Sequence, residues 1–379
     1  MKILIRNITL NLLALGAVAL SSSANAEIRI GLIGPMSGAA AVYGTEAKKG
    51  ADFALRQLEE SGSRAAKAIR LISADSGSNP GLAAQAAERM VSSDRVTAII
   101  GGMTSAETQA IIEVTRKAQV VQLSPLAQDN SLTQQGNQWF FRIAQSADDF
   151  GAKAAEWMMT KHGAKRVFIL ARNDNYGVSN ADGFAAGLKE QGGEEAGRLT
   201  YEPMAKDFRP ILRQVAQAEP DFVAIMGFYT DAALIVKQMG EMRVDVPVYA
   251  NTAPGLPQFS QIAGPAAIGT YGALYYFAGS VETERGKQFV EQWQAAYKKL
   301  PSQYEAMGYD AMLLLAATID TLPDVENVTS DQLREALLKV SGFQGGAGEI
   351  TLLPNGDVDR PLPFVRLGKD GLELDSLVE

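Results

Sequence analysis

The segment Gly101-Gly102-Met103-Thr104-Ser105-Ala106-Glu107 sets two glycines, two hydroxyl side chains and an acid at the start of a helical pattern. Glycine lets a backbone approach a ligand closely, and the first N–H groups of a helix point outward without intrahelical partners. Such a place suits a carboxylate. Thr104 and Glu107 also have the spacing of a capping box, in which each side chain satisfies a backbone N–H at the other's position. The two readings are compatible, because Ser105 is left over for a ligand.

Three other loops present comparable groups. Leu123-Ser124-Pro125-Leu126-Ala127-Gln128 offers exposed carbonyls and, in Gln128, an amide that donates and accepts. Asn173-Asp174-Asn175-Tyr176-Gly177 and Gly227-Phe228-Tyr229-Thr230-Asp231 bring tyrosines, each an apolar wall with a polar tip. The loop Gly34-Pro35-Met36-Ser37-Gly38 is glycine-rich and follows a strand. It has neither the spacing of a dinucleotide fingerprint nor a Gly-Lys-Ser/Thr ending, so no nucleotide site is expected.

No catalytic machinery is visible, and no enzyme, metal site or cofactor is expected. The one histidine, His162, precedes Gly163 and reads as a water-facing residue at a helix C-terminus, where a cation is favoured. Alone it serves neither a catalytic triad nor a histidine metal cage, and no G-x-S-x-G nucleophile elbow is present. Asp174 and Asp231 could form an acid–base pair, but aspartates in loops before helices read first as caps. Cysteine is absent, which excludes disulfides, thiolate chemistry and a lipidated cysteine anchor.

The elements that must position these loops alternate along the chain. Residues 1–26 have the layout of a secretory signal: Lys2 and Arg6, an apolar run from Leu10 to Leu20, and a small-residue ending Ala24-Asn25-Ala26. Export is the expectation, and removal of Lys2 and Arg6 takes the formal charge from −8 to −10. An acidic surface without basic clusters argues against nucleic acid or anionic lipid as partner. The remaining length suggests two domains with cores of their own. From Ile28 the pattern runs strand, loop, helix, with further strands at Ile69–Ala74, Val96–Ile100 and Val120–Leu123. After Phe140-Phe141-Arg142-Ile143 it restarts with strands at Arg166–Ala171, Phe222–Met226, Val246–Ala250 and Thr270–Phe277. Apolar strands separated by helices predict parallel sheets covered on both faces, with ligands bound beyond the carboxyl ends of the strands. Long helices over Thr283–Lys299 and Ala306–Thr321 are expected to pack back onto the first lobe.

In order along the chain, Gly34-Pro35-Met36-Ser37-Gly38 with Tyr43-Gly44, Ile100-Gly101-Gly102, Leu123-Ser124-Pro125, Asn175-Tyr176-Gly177 and Tyr309-Asp310-Ala311 carry a resemblance to the periplasmic leucine/isoleucine/valine-binding proteins of ABC importers. The resemblance spans essentially all of the chain after residue 26. It implies an α/β fold of two doubly wound parallel-sheet lobes joined by a three-segment hinge, the type I periplasmic binding protein arrangement. The lobes would be 27–145 plus 277–350 and 146–276 plus 351–379, crossing near Ala144-Gln145-Ser146, Tyr275-Tyr276-Phe277 and Ile350-Thr351-Leu352. It further implies a free, monomeric periplasmic protein that closes on a small ligand and hands it to permease subunits.

By the same resemblance Ser105, beside Thr104, and the loop Leu126, Ala127 and Gln128 hold the ligand carboxylate, while Tyr43, Met103, Tyr176 and Tyr229 wall the side-chain pocket. Two departures bear on the cargo. Gln128 stands where amino-acid-binding members place a threonine. Asn251-Thr252-Ala253-Pro254 stands where they place an acid for the ligand ammonium, so Thr252 enters the site and an ammonium would meet neutral acceptors or Asp174. The expected cargo is a branched-chain or other hydrophobic amino acid; the alternatives are a carboxylate without an amino group, an amide, or a role as a periplasmic ligand sensor.

Overall fold

The computed structural model describes residues 27–378; the expected secretory signal at 1–26 lies outside them. The first lobe opens with β1 (Ile28–Gly34), α1 (Ala41–Ser61), α2 (Arg64–Ala68), β2 (Ile69–Asp75), α3 (Pro80–Arg89), β3 (Ala98–Gly101), α4 (Ser105–Ala118), β4 (Val121–Ser124), α5 (Ser131–Gln134) and β5 (Phe140–Arg142). Its sheet runs β2-β1-β3-β4-β5, all parallel. β3 and β4 are buried along their whole length, as strands covered on both faces must be.

The second lobe follows with α6 (Ala147–His162), β6 (Arg166–Arg172), α7 (Asn175–Glu190), β7 (Glu194–Tyr201), α8 (Arg209–Ala218), β8 (Phe222–Met226), α9 (Tyr229–Met242), β9 (Val248–Tyr249), α10 (Pro257–Ala263) and β10 (Tyr271–Ala273). The chain then returns to the first lobe through α11 (Glu284–Tyr297), α12 (Gln303–Asp320), α13 (Ser330–Leu337) and a small antiparallel sheet of β11 (Phe343–Gln344), β12 (Glu349–Leu352) and β13 (Val358–Asp359). It ends with β14 (Leu362–Leu367) and β15 (Leu372–Val378), which complete the second sheet in the order β15-β14-β10-β9-β8-β6-β7.

The architecture is therefore the expected one, with three local differences. β7 was not foreseen, because its sequence EEAGRLTY is polar; it is an edge strand, where charged residues guard the open side. β14 and β15 run antiparallel at the other edge, so the second sheet is mixed. The third crossing, expected at Ile350-Thr351-Leu352, falls instead at Arg360-Pro361, since Ile350–Leu352 belongs to β12. That stretch is held on the first lobe: the N–H groups of Gly346 and Ala347 donate to Asp310 of α12, at 2.6 and 3.1 Å, and Arg142 N–H donates to the Gly356 carbonyl.

α12 is buried from Gln303 through Ala316 and is the central helix of the first lobe, consistent with a sequence apolar on every side. It lies against α1 at backbone contact: a Cβ on Gly50 would collide with the Glu305 carbonyl, and one on Gly308 with that of Ala47. The first and third crossings are tied by Arg360, 3% exposed. Its guanidinium donates to the Ile143 carbonyl of the first crossing and to Ala347, and stands 3.7 Å from the Asp310 carboxylate. Its own carbonyl accepts from Gln145 and Lys153.

Two outcomes are expected. Gly308→Ala forces α1 and α12 apart and lowers unfolding free energy by about 1–3 kcal/mol, measured by chemical denaturation. Burial raises the Asp310 carboxyl to about 6, against the partial opposition of Arg360 and the two backbone donors. The folded state therefore holds this proton where the unfolded state has lost it, and the contribution fades as pH rises through 6. Relative to Asp310→Asn, the parent gains on the order of 3 kcal/mol as pH falls from 7 to 4; a flat difference would sink this assignment.

Candidate functional site

The carboxyl ends of both sheets face one another across the cleft. Thr104 caps α4, its hydroxyl accepting from Glu107 N–H while the Glu107 carboxylate faces the Thr104 N–H, so the capping box is complete. Burial raises the Glu107 carboxyl, opposed by hydrogen bonds from Ser76 and Thr104. Ser105 is the first residue of α4, and its N–H and that of Ala106 are left by the helix geometry without intrahelical partners. Its hydroxyl is not wholly spare: it accepts from Asp129 N–H at 3.3 Å, tying the loop after β4 to α4. The Ser105 proton remains free to donate in another direction.

Seven of the ten residues singled out from the sequence line one cavity at this point: Tyr43, Met103, Thr104, Ser105, Leu126, Tyr176 and Thr252. It encloses about 20 Å³, room for about one water molecule. Phe228, Tyr275 and Tyr304 complete the lining. The rings stand mainly edge to face, Tyr43 lying 4.9 Å from Tyr304 and 5.5 Å from Phe228, an arrangement that suits the aromatic quadrupole. Burial pushes the hydroxyls of Tyr43, Tyr176, Tyr275 and Tyr304 well up, so all are neutral donors.

The other three sit differently. Tyr229 is half-buried and meets Tyr43 edge-on at 6.1 Å, outside the lining; its neighbour Phe228 occupies the wall instead. Ala127 turns away into a cluster with Ile112, Leu132 and Phe140. Gln128 is fully buried, its amide has no hydrogen-bond partner among the described residues, and it does not line the cavity. Of the residues missed, Tyr304 had a signal: Ser302 and Glu305 form a capping box that starts α12 at Gln303, not at Ala306.

No carboxylate lines the cavity among the described residues. Asn251, where an acid was sought, is fully buried behind Tyr176; its amide donates to the Tyr176 hydroxyl at 2.7 Å and to Asn180 at 3.2 Å. Asp174 and Asp231 are both consumed by Arg172, at 2.5 and 2.6 Å, and the guanidinium lies over the Phe228 ring. Neither aspartate is a free base, nor does either replace the missing counter-charge. Arg172 and Asp174 edge a second space of about 130 Å³ that shares Thr104, Ser105, Tyr176 and Phe228 with the inner cavity. Two larger concavities lie away from the cleft, about 900 Å³ between α1 and α11 and about 570 Å³ on the second lobe beside His162. His162 does not face water as expected: its ring packs edge-on to Trp157 and Tyr271, and burial lowers its pKa.

The family described as periplasmic binding protein matches residues 27–372. A Leu/Ile/Val-binding protein of Rhizobium johnstonii is 25% identical over 92% of this chain and 94% of its own length. A leucine-binding protein from Thermotoga maritima superposes with a TM-score of 0.87 at 25% identity, covering 93% of this chain and 99% of that one. The solute-binding protein of an ABC transporter from R. palustris, in complex with benzoate, shares the fold, with a TM-score of 0.81 at 21% identity over 93% and 96% of the two chains.

Ser105→Ala is expected to weaken the binding of a small carboxylate by about 1–3 kcal/mol in a calorimetric titration, the loss of one hydrogen bond to a charged group. An unchanged affinity would leave Ser105 as a helix-start residue only.

Proposed function

Because the chain belongs to the periplasmic binding protein family, we propose that it is the solute-binding component of an ABC-type amino-acid importer, closing on a branched-chain or other hydrophobic amino acid. The observation that carries this reading is the inner cavity at the N-terminus of α4, where hydroxyls and helix N–H groups meet aromatic walls contributed by both lobes. A carboxylate docks at Ser105 and the first turn of α4. Tyr43, Tyr176, Phe228 and Tyr304 then cover the apolar body. The names of the similar proteins, Leu/Ile/Val-binding and leucine-binding, support the same cargo.

The mechanism is a shift of population. Each lobe carries part of the lining, so a solute gains its full set of contacts only when the lobes are together, and binding favours the closed form by that difference. Permease subunits would read the closed shape. Nothing in this cycle breaks a bond of the solute, which accords with family membership and with the pairing of Asp174 and Asp231 to Arg172. Among the described residues no helix is long and apolar enough to cross a membrane. We place the protein free in the periplasm as a monomer, after removal of residues 1–26.

One observation favours a second cargo. An ammonium in this cavity would meet no carboxylate, and an unpaired buried charge is costly. A carboxylate without an amino group, aromatic or short aliphatic, avoids that cost, and the benzoate complex of the R. palustris protein is an example within the fold.

Thermal melting against aliphatic amino acids, amides, and aromatic or aliphatic acids decides between them, since a ligand that binds only the folded state raises the midpoint by mass action. A selective rise of a few degrees with leucine, isoleucine or valine is expected. A rise only with acids lacking the amine would replace the first cargo by the second, and no rise with any of them would remove both.

A further inference from the structure

Arg142 closes β5 one residue before the first crossing, and its side chain is completely buried. A buried guanidinium is tolerated only when its donors are used. Here Nε bonds Asp357 at 2.6 Å, one terminal nitrogen bonds the carbonyls of Asp129 and Ala127 at 2.8 and 3.4 Å, and the other bonds the Thr133 hydroxyl at 3.2 Å. The fork therefore holds from behind the loop that follows β4.

The same loop faces forward in two directions. Asp129 N–H reaches the Ser105 hydroxyl, and the Asp129 carboxylate accepts from the Asn175 amide at 3.1 Å. The next residue, Asn130, donates its N–H to the Ser179 hydroxyl at 3.0 Å. Asn175 and Ser179 lie in the first turns of α7, on the second lobe. Two hydrogen bonds thus run from one short loop across to α7, three more tie the same loop to the start of α6, between Asn130 and Asp148 and from Ala147 N–H to the Gln128 carbonyl, and the position of that loop is set by the guanidinium at its back.

We propose that Arg142 is a positioning residue for closure: by holding the carbonyls of Ala127 and Asp129 it aims the loop at Asn175 and Ser179, latching the lobes together and slowing solute release. The solute part rests on the reading of the cleft given above; the latch itself does not. Lysine at this position keeps the charge but has no fork, so it can hold one carbonyl and not the set.

The chain has no cysteine, so Glu88→Cys and Lys189→Cys place one label on each lobe without interference. Single-molecule energy transfer on the chain without its first 26 residues then reads the distance between the lobes. Without solute, the labelled parent is expected to populate a closed form, and Arg142→Lys to deplete it roughly tenfold, the loss of a charge-assisted hydrogen bond. Asn175→Ala with Ser179→Ala should do the same. Adding Arg142→Lys to that pair should deplete the closed form no further, because both act through one latch. A parent without a closed population, an unchanged distribution in Arg142→Lys, or full additivity would each overturn the proposal. Should Arg142→Lys not fold, Asp357→Asn removes the charged partner at Nε while leaving the bonds to Ala127, Asp129 and Thr133, and is expected to deplete the closed form in the same direction by a smaller factor. With L-leucine and benzoate as probes, release from Arg142→Lys is expected to speed about tenfold and association to be no slower, since a protein that rests open more of the time captures at least as fast. If neither probe binds the parent, the reading of the cargo fails while the distance measurement still decides on Arg142.

Discussion

The guanidinium of Arg360 holds together what the site needs most, two half-sites on separate lobes brought to one register. It sits on the third crossing, bonds the first crossing through Ile143, and leans on Asp310 from the central helix of the first lobe. Both ions are buried, so each costs desolvation that only the other and the surrounding N–H and C=O groups offset. A buried pair of this kind is weak evidence for stability and better evidence for geometry. Its consequence is that the first and third crossings are fixed to one another and to α12.

The cavity built on that frame has hydroxyls and helix N–H groups at one end, rings at the other, and no net charge of its own. The charged groups nearby are spent on one another: Glu107 caps α4, and Asp174, Asp231 and Arg172 form a triad beside Phe228. On the proposed reading, the positive end of α4 and the fit of the rings are what would discriminate between solutes. Selectivity of this kind rejects a wrong shape or a misplaced polar group more strongly than it distinguishes aliphatic chains differing by one methylene.

Much of this was legible in the sequence because parallel sheets write themselves plainly. Buried strands such as Ala98–Gly101 are unbroken apolar runs, and the loops after such strands are where a parallel sheet places a ligand. Chain direction and sheet edge were less legible. β7 is polar because it is an edge, and the third crossing is displaced because Asp310, far away in sequence, captures the backbone at Gly346 and Ala347. Within the site, the resemblance points to Tyr229 as a wall residue, yet which of two adjacent residues faces a cleft depends on where the helix starts. α9 begins at Tyr229, which leaves Phe228 at its cap position pointing to the wall. Tyr275 and Tyr304 come from a crossing and from a helix of the distant return segment, and only tertiary packing brings them in.

The cavity of about 20 Å³ has a kinetic meaning. It is far smaller than any amino acid, so on the proposed reading a solute reaches its place only after the rings part, and the form that captures it is not the form that holds it. Capture would then scale with how often the protein exposes α4, and the apparent dissociation constant would be the intrinsic one divided by the exposed fraction. A protein of this kind can lower its affinity without altering a single contact to its cargo, by resting closed more of the time. On that reading the aromatic packing of Tyr43 against Phe228 and Tyr304 would be a throttle on scavenging as well as a wall.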